Sequence, residues 1–272
     1  MQPLPLARLL DRVEQIALAA GEAIMQVYAG EFEVTQKPDA SPVTAADMAA
    51  NEVILHRLAQ LQPALPVLSE ESVEAFSGPD AAGRYWLVDP LDGTKEFIKR
   101  NGEFSVNIAL IEQGRPVLGV VHAPALGVTW LGAQGVGAFK RDATGVRQPI
   151  RVARRAPGTP WRVLGSRSHL GPKTLAWMEA LGDYTLTRRG CSIKLCLVAE
   201  GAADLYPRLG PTSLWDTAAG HAIVDAAGGC IKTPAGEVIS YAHPERTLNP
   251  WFVVYGGSEP VLEPLPDGGE RR

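Results

Sequence analysis

The chain is 272 residues long, enough to bury a sizeable core in one large domain or two closely packed ones. Its 46% apolar content excludes a disordered chain, and a net charge of -4 with no Lys/Arg block excludes the basic stripe of a nucleic-acid-polymer binder. If the chain handles a phosphate, the compensating positive charge must come from bound cations rather than from the protein as a whole.

In chain order, apolar residues at helical spacing (Leu6, Leu9, Leu10, Val13, Ile16, Ala17, Ala20, Ile24, Val27) predict an amphipathic helix over residues 5–28. The prolines of Lys37-Pro38-Asp39-Ala40-Ser41-Pro42 predict a loop, and Thr44-x-x-Asp47 opens a second helix with Val53, Ile54, Leu58 and Leu61 as its stripe. Val67-Leu68 is a short strand leading into Glu70-Glu71, and residues 85–88 form another that ends at Asp89-Pro90. From Phe104 to Phe139, short alternating runs punctuated by Gly and Pro predict an antiparallel meander. Beyond about residue 148 the rhythm becomes strand–helix–strand. Strands are expected at residues 163–165, 203–206 and 251–255, and helices near 175–181, 192–200 and 218–227. The expected organisation is an α+β half, residues 1–148, carrying the antiparallel sheet, and an α/β half, residues 149–272.

Cys191, Cys196 and Cys230 form no C-x-x-C pair, which predicts inert thiols in a reducing compartment. No apolar run approaches the roughly 20 residues of a membrane span, and residues 1–10 lack the core of a signal peptide. A cytoplasmic protein is expected, with loose attachment to the inner membrane face left open.

The most informative stretch is Trp86-Leu-Val-Asp89-Pro-Leu91-Asp92-Gly-Thr94. Two carboxylates three residues apart flank a Pro/Gly turn after a buried strand, so Asp89, the Leu91 carbonyl and Asp92 can aim at one point. A hard cation such as Mg²⁺ takes oxygen ligands of this kind. Gly93 and Thr94 would open a helix over residues 95–100, whose free amides suit an anionic phosphate. Glu70, Asp47 and Asp216 also sit where strands or loops meet helices. Each has an ordinary reading too: solvated loop, N3 partner of a Thr44 cap, and acid at a helix N-terminus.

With Trp215-Asp216-Thr217-Ala218-Ala219-Gly220, these motifs closely resemble those of the lithium-sensitive, magnesium-dependent inositol monophosphatase superfamily. The likeness runs from Ser41-Pro-Val-Thr-Ala-Ala-Asp47 to Gly228-Gly229. The stretches at residues 94–104, 165–169, 192–201 and 205–212 resemble its 3'(2'),5'-bisphosphate nucleotidase branch; Lys95-Glu96-Phe97 stands where inositol monophosphatases usually carry x-Asn-Phe.

The resemblance implies a layered αβαβα sandwich and two or three Mg²⁺ per site. Glu70, Asp89 and the Leu91 carbonyl would hold one ion; Asp89, Asp92 and Asp216 would hold a second. Thr94 and Asp47 would orient and deprotonate the attacking water, with Glu70 supporting a third ion under the Ser41-containing loop. The substrate phosphate would meet Glu70, Leu91, Asp92, Gly93, Thr94 and Asp216. Ser166, Arg167, His169, Ser192, Lys194 and Arg208 would face the rest of a small phosphorylated nucleotide. The implied reaction is removal of the 3'-phosphate of adenosine 3',5'-bisphosphate, with the sulfated precursor as a further substrate and a place in sulfur assimilation. An inositol or sugar phosphatase and a silent metal- or nucleotide-binding regulator remain alternatives, and a homodimer is left open. His56, His122, His221 and His243 are expected to be structural.

Overall fold

The computed structural model describes residues 4–36, 42–168 and 170–260; the Ser41-containing loop and His169 lie outside them. The expected first helix is α1 (Leu6–Tyr28), which buries Leu9, Leu10, Val13, Ile16, Ala17, Ala20 and Ile24. Helix α2 (Ala45–Leu58) starts at the Thr44/Asp47 capping box and buries Ile54 and Leu58; Val53 and Leu61 are only half-buried. A short antiparallel pair, β1 (Val34–Gln36) and β2 (Pro42–Thr44), precedes α2, so Pro42 begins a strand rather than ending a loop.

Seven strands follow in one sheet: β3 (Val67–Ser69), β4 (Arg84–Asp92), β5 (Ser105–Glu112), β6 (Arg115–Ala123), β7 (Val128–Ala133), β8 (Gly137–Arg141) and β9 (Arg147–Ile150). Neighbours are antiparallel except β3 with β4, so the expected meander is present and longer at both ends. Strand β4 does not stop at Asp89-Pro90. Asp89 pairs with Asn107 and Asp92 with Ser105, three steps along β4 against two along β5. The extra residue is a bulge, where Pro90 is tolerated because a bulge releases ladder hydrogen bonds.

The second sheet has the order β11 (Tyr184–Arg189), β10 (Trp161–Ser166), β12 (Leu205–Arg208), β14 (Phe252–Tyr255), β13 (Cys230–Lys232), with β10 parallel to both β11 and β12. Strand β11 escapes sequence reading because it is an edge strand, mostly exposed, with the polar pattern Tyr-Thr-Leu-Thr-Arg-Arg. The helices are α3 (Thr94–Ile98), α4 (Pro172–Glu179), α5 (Ile193–Ala199) and α6 (Leu214–Ala226). Helix α3 stops short of the expected residue 100, where Arg100 takes a φ of 54°. Helix α6 starts four residues before the expected Ala218, and this places Asp216 in its first turn.

Alternation along the strands sorts the core into layers. Trp86, Val88, Ile108 and Leu110 pack with α1 and α2, whereas Tyr85, Leu87, Ala109 and Ile111 face Ile193, Leu195, Ala219 and Ile223 of α5 and α6. Tyr206, Phe252 and Val254 cover α5 and α6 from the second sheet, and Val163, Leu205 and Val253 pack with Trp177 and Met178 of α4 on its outer face. The result is the αβαβα sandwich, with α5 and α6 as its middle layer.

That middle layer requires close approach of backbone to backbone. A Cβ on Gly119 of β6 would stand 2.1 Å from the Ala219 carbonyl oxygen of α6. Gly119→Ala is therefore expected to cost about 1–3 kcal/mol through overpacking, read as a lowered urea midpoint. An unchanged midpoint would mean that the strand and helix have slack between them.

Candidate active site

The β4 bulge and the first turn of α6 bring three acids together. Carboxylate oxygens of Asp89, Asp92 and Asp216 all lie within 4.8 Å of one another. Asp89 Oδ1 accepts from the Leu91 amide at 3.0 Å, which fixes the bulge. Asp216 Oδ2 accepts from the Ser213 amide at 2.9 Å, so this acid in the first turn of α6 caps the helix while it stands in the cluster. Asp92 Oδ2 accepts from the Ser192 amide at 2.6 Å, and Ser192 Oγ lies 2.5 Å from the same oxygen and 2.6 Å from the Asp216 carbonyl. Asn107 Nδ2 donates to Ser192 Oγ at 2.8 Å. Ser192 is thus engaged in holding Asp92.

Asp47 also serves twice. Its Oδ2 accepts from the Thr44 amide and hydroxyl, both at 2.8 Å, while Oδ1 lies 3.3 Å from Thr94 Oγ1. Thr94 Oγ1 is equally 3.3 Å from the Leu91 carbonyl oxygen, so its single proton has two acceptors to choose between. Gly93, at a φ of 93°, caps α3 in the left-handed region that glycine adopts without strain.

Burial dominates the electrostatics, and crowding adds to it at Asp89 and Asp216. Burial first, then Glu70, Asp92, Asp216 and Asp47, drive Asp89 well above the usual carboxylate range. Asp216 is raised by burial and then by Asp92 and Glu70. Asp92 is raised by burial, against the opposing pull of Lys194 and Ser192. Glu70 therefore sits within electrostatic reach of the trio, at the head of a short 3₁₀ turn after β3. A set of hard oxygen donors that repel one another fits a hard divalent cation.

A cleft of about 360 Å³ is lined by Glu70, Asp92, Gly93, Thr94 and Asp216. Of the expected nucleotide contacts, Ser166, Ser192, Lys194 and Arg208 line it. Lys194 is buried, donates to the Cys191 carbonyl and stands 5.2 Å over the Tyr206 ring. Arg208 Nη2 donates to the Pro211 carbonyl at 2.7 Å and draws Asp216 downward. Arg167 instead makes a two-pronged ion pair with Glu103, at 2.9 and 2.7 Å. Sequence reasoning missed Asn107, and it took Glu96 and Glu103 only as part of a resemblance; polar residues inside an otherwise apolar strand were the available signal for Asn107.

His122 and His221 are pushed down by burial to about 4 and about 3, hence neutral, while His56 and His243 bond Gln60 and Glu245 at the surface. Burial pushes the Cys191 and Cys196 thiols up, which disfavours the thiolate.

Residues 6–263 match the model of the inositol monophosphatase family. The chain belongs to the inositol monophosphatase family. It is 54% identical over 248 residues to the 3'(2'),5'-bisphosphate nucleotidase CysQ of Salmonella typhimurium, covering 90% of this chain and 99% of that protein. The protein of the same name from Escherichia coli strain K12 is 51% identical over the same shares. Among solved structures, CysQ of Bacteroides thetaiotaomicron superposes with a TM-score of 0.80 at 39% identity, covering 94% of this chain and all of that one. An Anabaena inositol monophosphatase superposes at 0.76 with 26% identity, over 93% and 92% of the two chains.

The raised acids of this family site predict how the metal-free protein responds to pH. A carboxyl whose folded pKa exceeds its unfolded value favours the fold below the unfolded pKa and loses that contribution as pH rises through the folded one. Chelator-treated protein should therefore lose stability as pH climbs from the unfolded carboxylate range, near 4, towards neutrality. A divalent cation should restore it, so the Mg²⁺-dependent rise in Tm is expected to be larger at pH 8 than at pH 5. Equal shifts at both pH values would contradict the electrostatic account.

Proposed function

We propose that the chain is a Mg²⁺-dependent phosphomonoesterase that converts adenosine 3',5'-bisphosphate to AMP and phosphate, with its sulfated precursor as a second substrate. The observation that carries the chemistry is the convergence of Asp89, Asp92 and Asp216 beside the Thr94–Asp47 pair. The substrate is inferred from the names of the CysQ relatives, identical at half or more of their aligned positions.

Glu70, Asp89, Asp92, Asp216 and the Leu91 carbonyl are the groups that would hold two or three Mg²⁺. When bound, such ions neutralise phosphoryl oxygens, acidify the attacking water and stabilise the leaving oxygen. The chain's own part is positioning and proton handling. Donating its proton to Asp47, Thr94 Oγ1 turns its lone pairs towards a water in the cleft, and Asp47 provides the carboxylate that takes up the displaced proton. Water oxygen then bonds to phosphorus as the bond from phosphorus to the 3'-oxygen breaks, and the leaving oxygen takes a proton from solvent. Lys194 and Arg208 supply fixed positive charge in the cleft for the second phosphate. Among the described residues, no helix is long and apolar enough to cross a membrane.

The test is phosphate release from adenosine 3',5'-bisphosphate and from inositol monophosphate, with Mg²⁺ and with chelator. The expected outcome is metal-dependent release with clear preference for the nucleotide; equal or faster turnover of inositol monophosphate would remove the substrate assignment. Asp89→Asn should lower kcat by on the order of a thousandfold, equivalent to about 4 kcal/mol of lost transition-state stabilisation, while near-ultraviolet circular dichroism stays unchanged. Thr94→Ala should lower kcat by roughly a hundredfold or more with little change in KM. An active Asp89→Asn enzyme would dismiss the metal-site assignment.

A further inference from the structure

Glu103 is a buried carboxylate that belongs neither to the acidic cluster nor to the Thr94–Asp47 pair. Its Oε2 accepts from the Gly190 amide at 2.7 Å and from Arg167 Nε at 2.9 Å, and its Oε1 accepts from Arg167 Nη2 at 2.7 Å. Burial works to raise its pKa, yet Arg167 and the Gly190 amide outweigh that and hold it below the usual range. Glu96, also buried, accepts from Ser168 Oγ at 2.7 Å. Two acids from the segment after the metal-site motif therefore grip the two loops that leave the parallel strands β10 and β11. Loops at the carboxyl ends of parallel strands are where α/β sheets meet ligands.

The packing around these bonds leaves no room for rearrangement. A Cβ on Gly190 would stand 2.8 Å from the Glu103 carbonyl oxygen and 3.0 Å from Glu96 Cγ. One on Gly93 would stand 3.0 Å from the same Glu103 oxygen and 3.3 Å from Cys191 Cβ. Cys191 itself holds a φ of 37°, a region that residues with side chains seldom occupy, so bonds on either side must keep it there. On one side, Ser192 is anchored to Asp92 and Asn107. On the other, the anchor of Gly190 is Glu103. The metal-facing half of this turn is thus secured without Glu103, and the half that forms the cleft wall with Ser166 is not.

Resting on the phosphatase reading above, we infer that Glu103 is a positioning residue that fixes the Ser166–Gly190 wall of the cleft and thereby selects phosphate esters with a large, nucleotide-sized body over small ones. A small ester needs only the acids and the Gly93-Thr94 turn. A nucleotide must also fit between this wall and the Lys194/Arg208 side.

The test compares the full-length chain with its Glu103→Ala and Glu103→Gln variants at saturating Mg²⁺, on adenosine 3',5'-bisphosphate and on 4-nitrophenyl phosphate. For Glu103→Ala, KM for the nucleotide is expected to rise by about tenfold to a hundredfold, the scale of a misplaced contact, with kcat little changed. Kinetics on 4-nitrophenyl phosphate and the Mg²⁺ concentration for half-maximal activity should not move. Glu103→Gln keeps an acceptor for Gly190 but loses the charge facing Arg167, so its KM should fall between the two; it carries the test if the alanine variant fails to fold. Equal losses on both substrates, a shifted Mg²⁺ requirement or an unchanged KM would each overturn the inference. A wild-type chain that releases no phosphate from either ester would remove the phosphatase reading and this inference with it, whereas an active wild type with an indifferent Glu103→Gln variant would remove this inference alone.

Discussion

Repulsion among carboxylates is the constraint around which this molecule is organised. Asp89, Asp92 and Asp216 approach within 4.8 Å of one another, with Glu70 and Asp47 near enough to add to the strain. Two unit charges about 4 Å apart repel by roughly 4 kcal/mol at the effective dielectric of a protein surface, so the arrangement opposes folding unless a cation is present. Nothing in the acids themselves keeps them together. The bulge in β4, the buried face of α6 and the Ser192 amide do so, and each is anchored in a core that spans both sheets.

Several of these carboxylates combine a structural and a chemical duty, and that combination explains why each looked ordinary in isolation. A carboxylate has two oxygens and several lone pairs, so Asp47 can cap α2 through Oδ2 and still receive the Thr94 hydroxyl at Oδ1. Asp216 likewise caps α6 while standing in the cluster. The cap fixes the side chain's rotamer, and a fixed rotamer is what pre-organisation of the proposed metal site requires. The two readings are one arrangement seen from two sides.

How much was legible in the sequence follows from the range of each interaction. The long apolar periodicities of α1 and the meander are local signals, and the structure has them where they were expected. The motif around Asp89–Thr94 pointed to a turn of convergent oxygen donors but not to its geometry. Strand β4 continues to Asp92 through a bulge, and a bulge is defined by its partner strand, which single-strand patterning does not include. The edge strand β11 carries no apolar alternation strong enough to be read. Glu103 was unreadable for a similar reason: its partners Arg167 and Gly190 lie 64 and 87 residues away, and no local pattern links them.

The two sheets divide the labour of the cleft. The seven-stranded sheet and the short turns that leave it carry Glu70, Asp89, Asp92 and Thr94, the groups proposed to face the substrate's phosphate. The five-stranded sheet carries Ser166 and Arg208 at the ends of β10 and β12, and Lys194 lies on α5; all three line the cleft. Asp216 and Ser192 come from the later part of the chain yet bond or face acids of the earlier part. Glu103 works in the opposite direction, reaching from the first half to hold a wall of the second. Gly190 lies two residues before Ser192, whose amide holds Asp92, so this wall and the acidic cluster share one tightly packed turn.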